Sequence, residues 1–287
     1  MNCSLLRHTI IDYPSGSAIE FHKRLYYLIG DDLNFVLCLD ENWKEIKRIE
    51  LFTSNGLRIP KPDKPDLESA AIAGNILYVL GSGSKSPQRD VVYIVNLTDD
   101  SVKKANTTAF YNLFRDRNLV AEMNIEAFAI CRDKVFFFNR ANTRQPNHLI
   151  ITDQKILTRR FPDRFKVMPV VLGKLKDIQL GISGSCYDDK NDILFITASA
   201  ENTDNAYDDG AVTGSILGII YNASKQPERP ELAINEILEL ETMDAAFRQQ
   251  KIESACITKS SGKNYTITLV ADNDTGNSAL FEIQLGL

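Results

Sequence analysis

Histidine, tryptophan and paired cysteines are scarce in this sequence. Its 287 residues include three histidines and one tryptophan, and none of its five cysteines belongs to a CxxC pair. A zinc site of His and Cys ligands, or a disulfide framework, therefore lacks its usual sequence pattern. Cys131, Cys186 and Cys256 lie among small and apolar residues, which is typical of buried, unreactive thiols in a reduced protein.

Basic charge and long apolar runs are also missing. The net charge of −5 argues against nucleic acid or an anionic membrane as the main partner, because both favour a basic surface. No apolar run reaches the roughly 18 residues of a membrane-spanning helix, so membrane insertion is not expected. The start, MNCSLLRHTI, does not resemble a signal peptide. We expect a cytoplasmic monomer, with export as the alternative if a signal peptide has been removed.

One short phrase recurs five times along the chain. Each copy has a strand of small and apolar residues, a polar turn and a second, strongly apolar strand. The copies are GSAIEFHKRLYYLIG at 16–30, LESAAIAGNILYVLG at 67–81, IEAFAICRDKVFFFN at 125–139, ISGSCYDDKNDILFITAS at 182–199 and IESACITKSSGKNYTITLVAD at 252–272. Repeats of several strands, spaced about 50 to 70 residues apart, indicate a β-propeller.

The predicted fold class is all-β: a single five-bladed β-propeller domain spanning residues 1–287, with six blades as the alternative. A sixth blade would begin in the irregular stretch 155–181. Blade five shows only three strands before the chain ends, whereas the segment LLRHTIIDY at 5–13 belongs to none of the strands of blade one. Pairing this segment as the outer strand of blade five would close the ring. A frayed terminus is the alternative, and 109–120 and 241–250 are predicted to be short helices.

The first strand of each blade in a propeller lines the central channel, so its polar residues are candidate site residues. The second residue of each opening strand is, in turn, Ser17, Glu68, Glu126, Ser183 and Glu253. Carboxylates in a narrow channel are costly to bury unless a cation, an Arg or Lys side chain, or water compensates them. Oxygen ligands without His or Cys suit a hard divalent cation, chiefly calcium. We predict that the three Glu residues hold such a cation; the alternative is that they pair with nearby Lys and Arg.

The second strand of each blade ends at the same mouth and is followed by polar residues. Together with neighbouring basic side chains and the two opening-strand serines, the predicted ligand-binding residues are Ser17, Asp31, Asp32, Lys61, Ser82, Ser84, Arg89, Arg140, Asn142, Ser183, Asp272 and Asp274. Arg89 and Arg140 would bind an anionic substrate group such as phosphate.

An acidic loop at 201–210 follows the second strand of blade four. It is longer than the two to five residues that a hairpin needs, and extra length on this face favours a ligand arm. We predict that the loop folds over the channel, that Tyr207 contacts the ligand, and that Glu201, Asp204, Asp208 and Asp209 are further metal ligands. The alternative is a mobile, solvated hairpin loop.

Three groups of motifs carry a family resemblance: KPDLESAAI with LGSGSKSPQRD, NIEAFAI with NRANTRQ, and SAENTDNAYDDGAVTGS. Together they resemble an uncharacterised family of bacterial β-propeller proteins over nearly the whole chain. That family is similar in outline to the phytase-like propellers, whose members bind calcium at the mouth and hydrolyse phosphoesters. The acidic active-site signature of the phytases is not present, and five blades are predicted rather than six, so no catalytic residue carries over. The Glu pattern of the opening strands also resembles, more loosely, the five-bladed calcium-activated nucleotidases.

These observations favour a ligand-binding or hydrolytic site at the channel mouth, assisted by a divalent cation and acting on a phosphoester or another anionic small molecule. No catalytic residue is assigned, because no histidine lies where a base would be needed. One alternative is a non-catalytic propeller that presents loops to a protein or a glycan, with Tyr111, Phe114 and Tyr207 as an exposed aromatic patch. A further alternative is a glycosidase that uses two channel carboxylates.

Overall fold

The computed structural model describes residues 2–54, 56–158, 164–203, 205, 210–272 and 276–287. Their strands form five sheets arranged as a five-bladed β-propeller. The first strands of consecutive blades contact one another, and the first strand of blade five contacts that of blade one. The five-bladed prediction is therefore confirmed. No helix in the described part of the chain is long and apolar enough to cross a membrane.

The blades follow one another along the chain. Blade one contains Gly16–His22, Leu25–Gly30, Phe35–Leu39 and Glu45–Glu50. Blade two contains Leu67–Ala73, Ile76–Gly81, Val91–Asn96 and Ser101–Asn106. Blade three contains Ile125–Cys131, Lys134–Asn139, Asn147–Asp153, Phe165–Val171 and Leu232–Ala233. Blade four contains Lys174–Leu175, Ile178–Asp188, Ile193–Glu201, Val212–Tyr221 and Glu236–Glu239. Blade five contains Lys251–Ser261, Asn264–Asp272, Ser278–Gly286 and Asn2–Ile11.

The boundary between blades three and four differs from the sequence prediction. The stretch 155–181 forms no sixth blade in its described part, because Phe165–Val171 is the outer strand of blade three. The segment LAINEILEL at 232–240 is divided between two sheets. Leu232–Ala233 pairs in parallel with the outer strand of blade three, and Glu236–Glu239 completes blade four. This exchange links the two blades through backbone hydrogen bonds.

Short helices lie in the connections. The α-helices are Thr108–Arg115 and Leu240–Met243, and the 3-10 helices are Gln154–Thr158, Ala223–Glu228 and Ala245–Phe247. The two predicted helices are confirmed in position but are shorter than expected. The first ends early because Asn118 has a φ of 52°, which a right-handed helix does not allow.

Five clusters of buried apolar residues form the core, one between each pair of neighbouring blades. The second strands are therefore covered on both faces, which explains their continuous apolar runs. Leu28 and Ile29, which point to opposite faces, are both completely buried. Cys131, Cys186 and Cys256 are buried free thiols within these clusters, as predicted.

The N-terminal strand closes the ring, as predicted. Asn2–Ile11 pairs antiparallel with Ser278–Gly286, with Cys3 opposite Leu285. Arg7 then connects this strand to blade one. Its guanidinium makes two 3.2 Å hydrogen bonds to Glu282, donates to the Glu41 carbonyl at 2.7 Å, and lies 3.8 Å from the centre of the Trp43 ring.

Deleting residues 2–11 should therefore destabilise the whole ring. We expect several kcal/mol to be lost from a total that is typically about 5–15 kcal/mol, because the strand Ser278–Gly286 becomes an unpaired edge. Thermal unfolding followed by circular dichroism measures the effect. Leu6→Ser is the control, since Leu6 is 50% exposed and should change stability by about 0.5 kcal/mol or less. An unchanged unfolding temperature after deletion would contradict the closure.

Candidate active site

The same β-bulge occurs in the first strand of all five blades. In blade one, Gly16 and Ala18 pair with Gly30 and Ile29, so Ser17 has no partner in the ladder. The residues skipped in the other four blades are Glu68, Glu126, Ser183 and Glu253. A bulge adds one residue to a strand and re-aims its side chain. These are the five opening-strand residues that the sequence places at the mouth.

A cavity of about 390 Å³ lies at the channel mouth and receives side chains from every blade. Four of the five bulge residues line it, Ser183 being the exception. Its described lining includes eight carboxylates: Asp31, Asp32, Asp66, Glu68, Glu126, Glu201, Glu253 and Asp272. It also includes six cations: Arg58, Lys61, Lys64, Arg89, Arg140 and Lys251. The cavity is therefore highly charged, with a surplus of acidic groups.

One ion network joins blades three, four and five. Arg140 Nη2 donates to Glu201 Oε2 at 2.8 Å, and Arg140 Nη1 lies 3.6 Å from Glu126 Oε2. Lys251 Nζ lies 3.1 Å from Glu253 and 3.5 Å from Glu201. Two cations thus compensate three carboxylates, which is the Lys and Arg pairing that the sequence left as the alternative to a metal ion.

A second network joins blades one and two. The Lys64 ammonium contacts Asp31 and lies 2.9 Å from Asp66 Oδ1, while Arg89 contacts the other carboxylate oxygen of Asp66. Asp31, Asp66 and Glu68 each offer a carboxylate oxygen, and these oxygens lie within 4.8 Å of one another. This group, rather than Glu68, Glu126 and Glu253, is the close acidic trio in the described chain.

Arg58 adds a third contact on the side of blade one. Its Nε donates to Asp32 Oδ2 at 2.7 Å, and its Nη2 donates to Ser15 Oγ at 2.9 Å. The remaining carboxylate oxygens, Oδ1 of Asp32 and Oδ1 of Asp31, are buried and have no hydrogen-bond partner among the described residues. Two carboxylate oxygens on this side of the cavity therefore lack a hydrogen-bond donor in the described chain.

Glu68 differs from the other lining carboxylates. Within the described ranges it forms no hydrogen bond and no ion pair, whereas each of the others has at least one interaction. Burial, and then repulsion from Glu126 and Asp66, raises the pKa of Glu68 well above its ordinary value. Burial also raises the pKa of Glu126 to about 7, although Arg140 opposes the shift. Glu126 can therefore carry a proton near neutral pH, and burial favours the protonated form of Glu68.

The two aspartates beside Lys64 have opposite pKa shifts. Burial raises the pKa of Asp31 to about 6, with Lys64 opposing the change. Burial alone would raise the pKa of Asp66 as well, but Lys64 and Arg89 outweigh it and the pKa is lowered. Asp66 is thus a permanent anion that holds both cations in place.

Several predicted ligand residues make structural contacts within the protein. Ser17 Oγ donates to the carbonyl of Leu67, and Ser183 Oγ donates to that of Ile252 at 2.6 Å, so each links its blade to the next. Ser82 and Ser84 donate to Asp66 and do not line the described cavity. Asn142 lines the cavity and donates to Glu122 at 2.8 Å. Lys61 and Asp272 also line it.

The ends of the acidic loop lie at the cavity. Glu201, Thr203 and Asn205 line it, and Glu201 Oε1 accepts a hydrogen bond from the backbone of Gly210 at 2.8 Å. The other predicted residues of this loop and of the last second-strand turn lie outside the described residues: Asp204, Tyr207, Asp208, Asp209 and Asp274.

The predicted exposed aromatic patch is wrong for two of its three members. Tyr111 and Phe114 are completely buried between blades two and three. The helix that carries them packs its apolar face onto the blades, and the Tyr111 hydroxyl donates to the Gly81 carbonyl at 2.9 Å. A loop position alone did not reveal this amphipathic face.

Sequence reasoning missed three polar residues that lie just before the bulge glutamates. Asp66, Asn124 and Lys251 each lie two positions before a bulge Glu and line the cavity. Asn124 donates to Glu126 at 2.7 Å, as Lys251 pairs with Glu253. The sequence did contain a signal for these residues. Blades two, three and five each begin with a polar residue, an apolar residue and Glu.

The fold is similar to that of known enzymes, although no curated protein sequence matches the chain. The glutaminyl cyclase of Myxococcus xanthus superimposes with a TM-score of 0.60 at 11% identity, covering 99% of this chain and 96% of that one. A structure from the GH130 family of mannoside phosphorylases, described as containing glycoside hydrolases that target β-1,2 mannosidic linkages in Candida mannan, has a TM-score of 0.53 at 9% identity. It covers 94% of this chain and 85% of that one. At such identities the likeness concerns the fold alone. The chain belongs to the DUF6929 family, a family of unknown function whose model matches residues 12–285.

Proposed function

We propose that the cavity is an active site that binds a small polar molecule and exchanges protons with it through buried carboxylates, in a hydrolysis or a related group transfer. Glu68 is the observation that carries this proposal. Its position on a bulge, its lack of a partner in the described chain and its raised pKa favour a neutral carboxylic acid at pH 7. Such a group can donate a proton to a leaving group.

Glu126 is the second candidate acid or base. Its pKa of about 7 lets it gain or lose a proton at neutral pH. Enzymes that use two carboxylates place them in environments that set their pKa values apart, and here Arg140 lies beside Glu126 but not beside Glu68. The glycosidase alternative would use this same pair.

The described contacts favour a neutral or cationic substrate over an anionic one. Arg89 and Arg140, predicted to bind phosphate, are paired with Asp66 and Glu201. An anionic group would have to compete with these buried carboxylates. Phosphoester hydrolysis therefore stays a prediction, with less support than proton transfer to a neutral substrate.

Glu68→Gln should abolish most turnover of any substrate that the wild type accepts. Turnover is screened on aryl glycosides, including mannosides, on phosphoesters and on N-terminal glutaminyl peptides. Loss of a general acid should lower kcat/KM by roughly 10²- to 10⁴-fold. Glu231→Gln is the matched control, because Glu231 is exposed and outside the cavity. Equal turnover by both variants would contradict the role of Glu68, and a protein without turnover on any substrate would favour the non-catalytic alternative.

The pKa of Glu126 also predicts a pH dependence of stability. The folded-state pKa of about 7 lies above the ordinary 4.5, so folding favours the protonated form. This contribution is complete below about pH 4.5 and is lost as the pH rises through about 7. Glu126→Gln stays neutral, so its free energy of unfolding should fall less between about pH 5 and 7. Urea denaturation across this range measures both slopes; identical slopes would contradict the assignment.

A divalent cation bound by Asp31, Asp66 and Glu68 is the second candidate, favoured by their mutual distances of at most 4.8 Å. Three carboxylates are a donor set that calcium or magnesium accepts. Lys64 occupies part of this site and would have to move as the ion enters.

Calorimetric titration with calcium, magnesium and manganese tests this candidate. If the trio binds an ion, Glu68→Gln should lose at least about tenfold in affinity, while Lys64→Met should gain, because a competing positive charge is removed. Titration of Glu231→Gln should match the wild type. Absence of binding in both the wild type and Lys64→Met would exclude a metal at the trio.

A further inference from the structure

We propose that the ligand of this cavity carries an ammonium group, which binds at the acidic side formed by Asp31, Asp32, Asp66 and Glu68. The inference rests on the proposed function of the cavity and names the class of molecule that it accepts. It also predicts that a negatively charged ligand binds weakly.

The charge balance of the cavity supports a cation. Its described lining has eight carboxylates against six cations, and every one of those cations already has a partner. Arg140 and Lys251 pair with one group of carboxylates, and Lys64, Arg89 and Arg58 pair with the other. A negatively charged ligand would have to break one of these pairs, whereas a positively charged ligand would not.

Unused acceptors lie on the acidic side. Asp32 is only 6% exposed, yet its Oδ1 has no hydrogen-bond partner in the described residues, and Oδ1 of Asp31 shares this state. Glu68, which is partly exposed, has no partner within the same ranges. Buried acceptors without donors are costly, and an ammonium supplies three N–H donors together with a positive charge. On the opposite side, Arg140 Nη1 lies 3.6 Å from Glu126, so that donor already faces a carboxylate.

The acidic side already stabilises one ammonium, that of Lys64. Its side chain is only 12% exposed, and its Nζ contacts Asp31 and Asp66. Burial would lower the pKa of Lys64, but Asp31 and Asp66, followed by Glu68, outweigh burial and raise it. The local field therefore favours a buried cation.

Isothermal titration with molecules that differ only in charge tests the inference. The series is butylammonium, 1-butanol and butyrate, repeated with benzylammonium, benzyl alcohol and benzoate, with magnesium and calcium chloride as separate arms. We expect the two ammonium compounds to bind at least tenfold more tightly than their neutral and anionic counterparts. Glu68→Gln and Asp32→Asn should each weaken ammonium binding by about tenfold or more, and Glu231→Gln should not.

Thermal unfolding separates a local loss of binding from misfolding. The organic series is titrated in a buffer without an ammonium group, such as phosphate, because protonated Tris would itself compete for the acidic side. The thermal unfolding of Glu68→Gln should be as cooperative as that of the wild type. Glu68→Gln thus checks the assignment even if Asp32→Asn, which weakens the contact to Arg58, fails to fold.

The outcomes separate this inference from the proposed function. Tighter binding of butyrate or benzoate, binding of the metal ions alone, unchanged binding by Glu68→Gln, or no binding in the whole series would overturn the ammonium inference. Turnover of a neutral or anionic substrate that is lost in Glu68→Gln would do the same while supporting the active site. Ammonium binding without turnover of any substrate would support the inference and count against the enzyme.

Discussion

The site depends on a closed ring, and the ring is closed by one strand pairing. Asn2–Ile11 completes the sheet that ends the chain, so residues from the two termini share one blade. Without that pairing, the outer edge of blade five is exposed and the contact of Arg7 with blade one is lost. The central channel exists only where the five first strands are held around one axis. Closure is therefore a condition for the cavity as well as for stability.

A repeated bulge then determines which side chains enter the channel. An ordinary strand alternates its side chains between two faces, and both faces of a propeller blade are covered by neighbours. The extra residue of each bulge escapes this alternation. In blades one and four it is Ser, which links its blade to the next, and in blades two, three and five it is Glu. The same backbone feature thus serves adhesion between blades and the chemistry of the mouth.

Burying so many charges has a physical consequence. Carboxylates that form an ion pair, such as Asp66 with Lys64, remain ionised. Glu68 forms no ion pair in the described chain, so its neutral form is favoured. The cost of burying an isolated charge therefore creates chemical differences among similar side chains. Differences of this kind are what acid–base catalysis and recognition of a cation both require. The cavity is suited to either because its compensation is incomplete.

The sequence by itself determined the five blades, the N-terminal closure, the buried thiols and the five bulge residues. Each of these is a local pattern, and the shared position in every opening strand is what predicts Glu68 and Glu126 at the channel. The tertiary structure decided how those carboxylates are compensated. Lys64 lies in the connection between blades one and two, and its ammonium contacts Asp31 of blade one. Lys251 and Glu253 lie two positions apart, but pairs such as Arg140 with Glu201 join residues far apart in the chain. No local pattern encodes these distant pairs, or that Glu68 has no partner among the described residues.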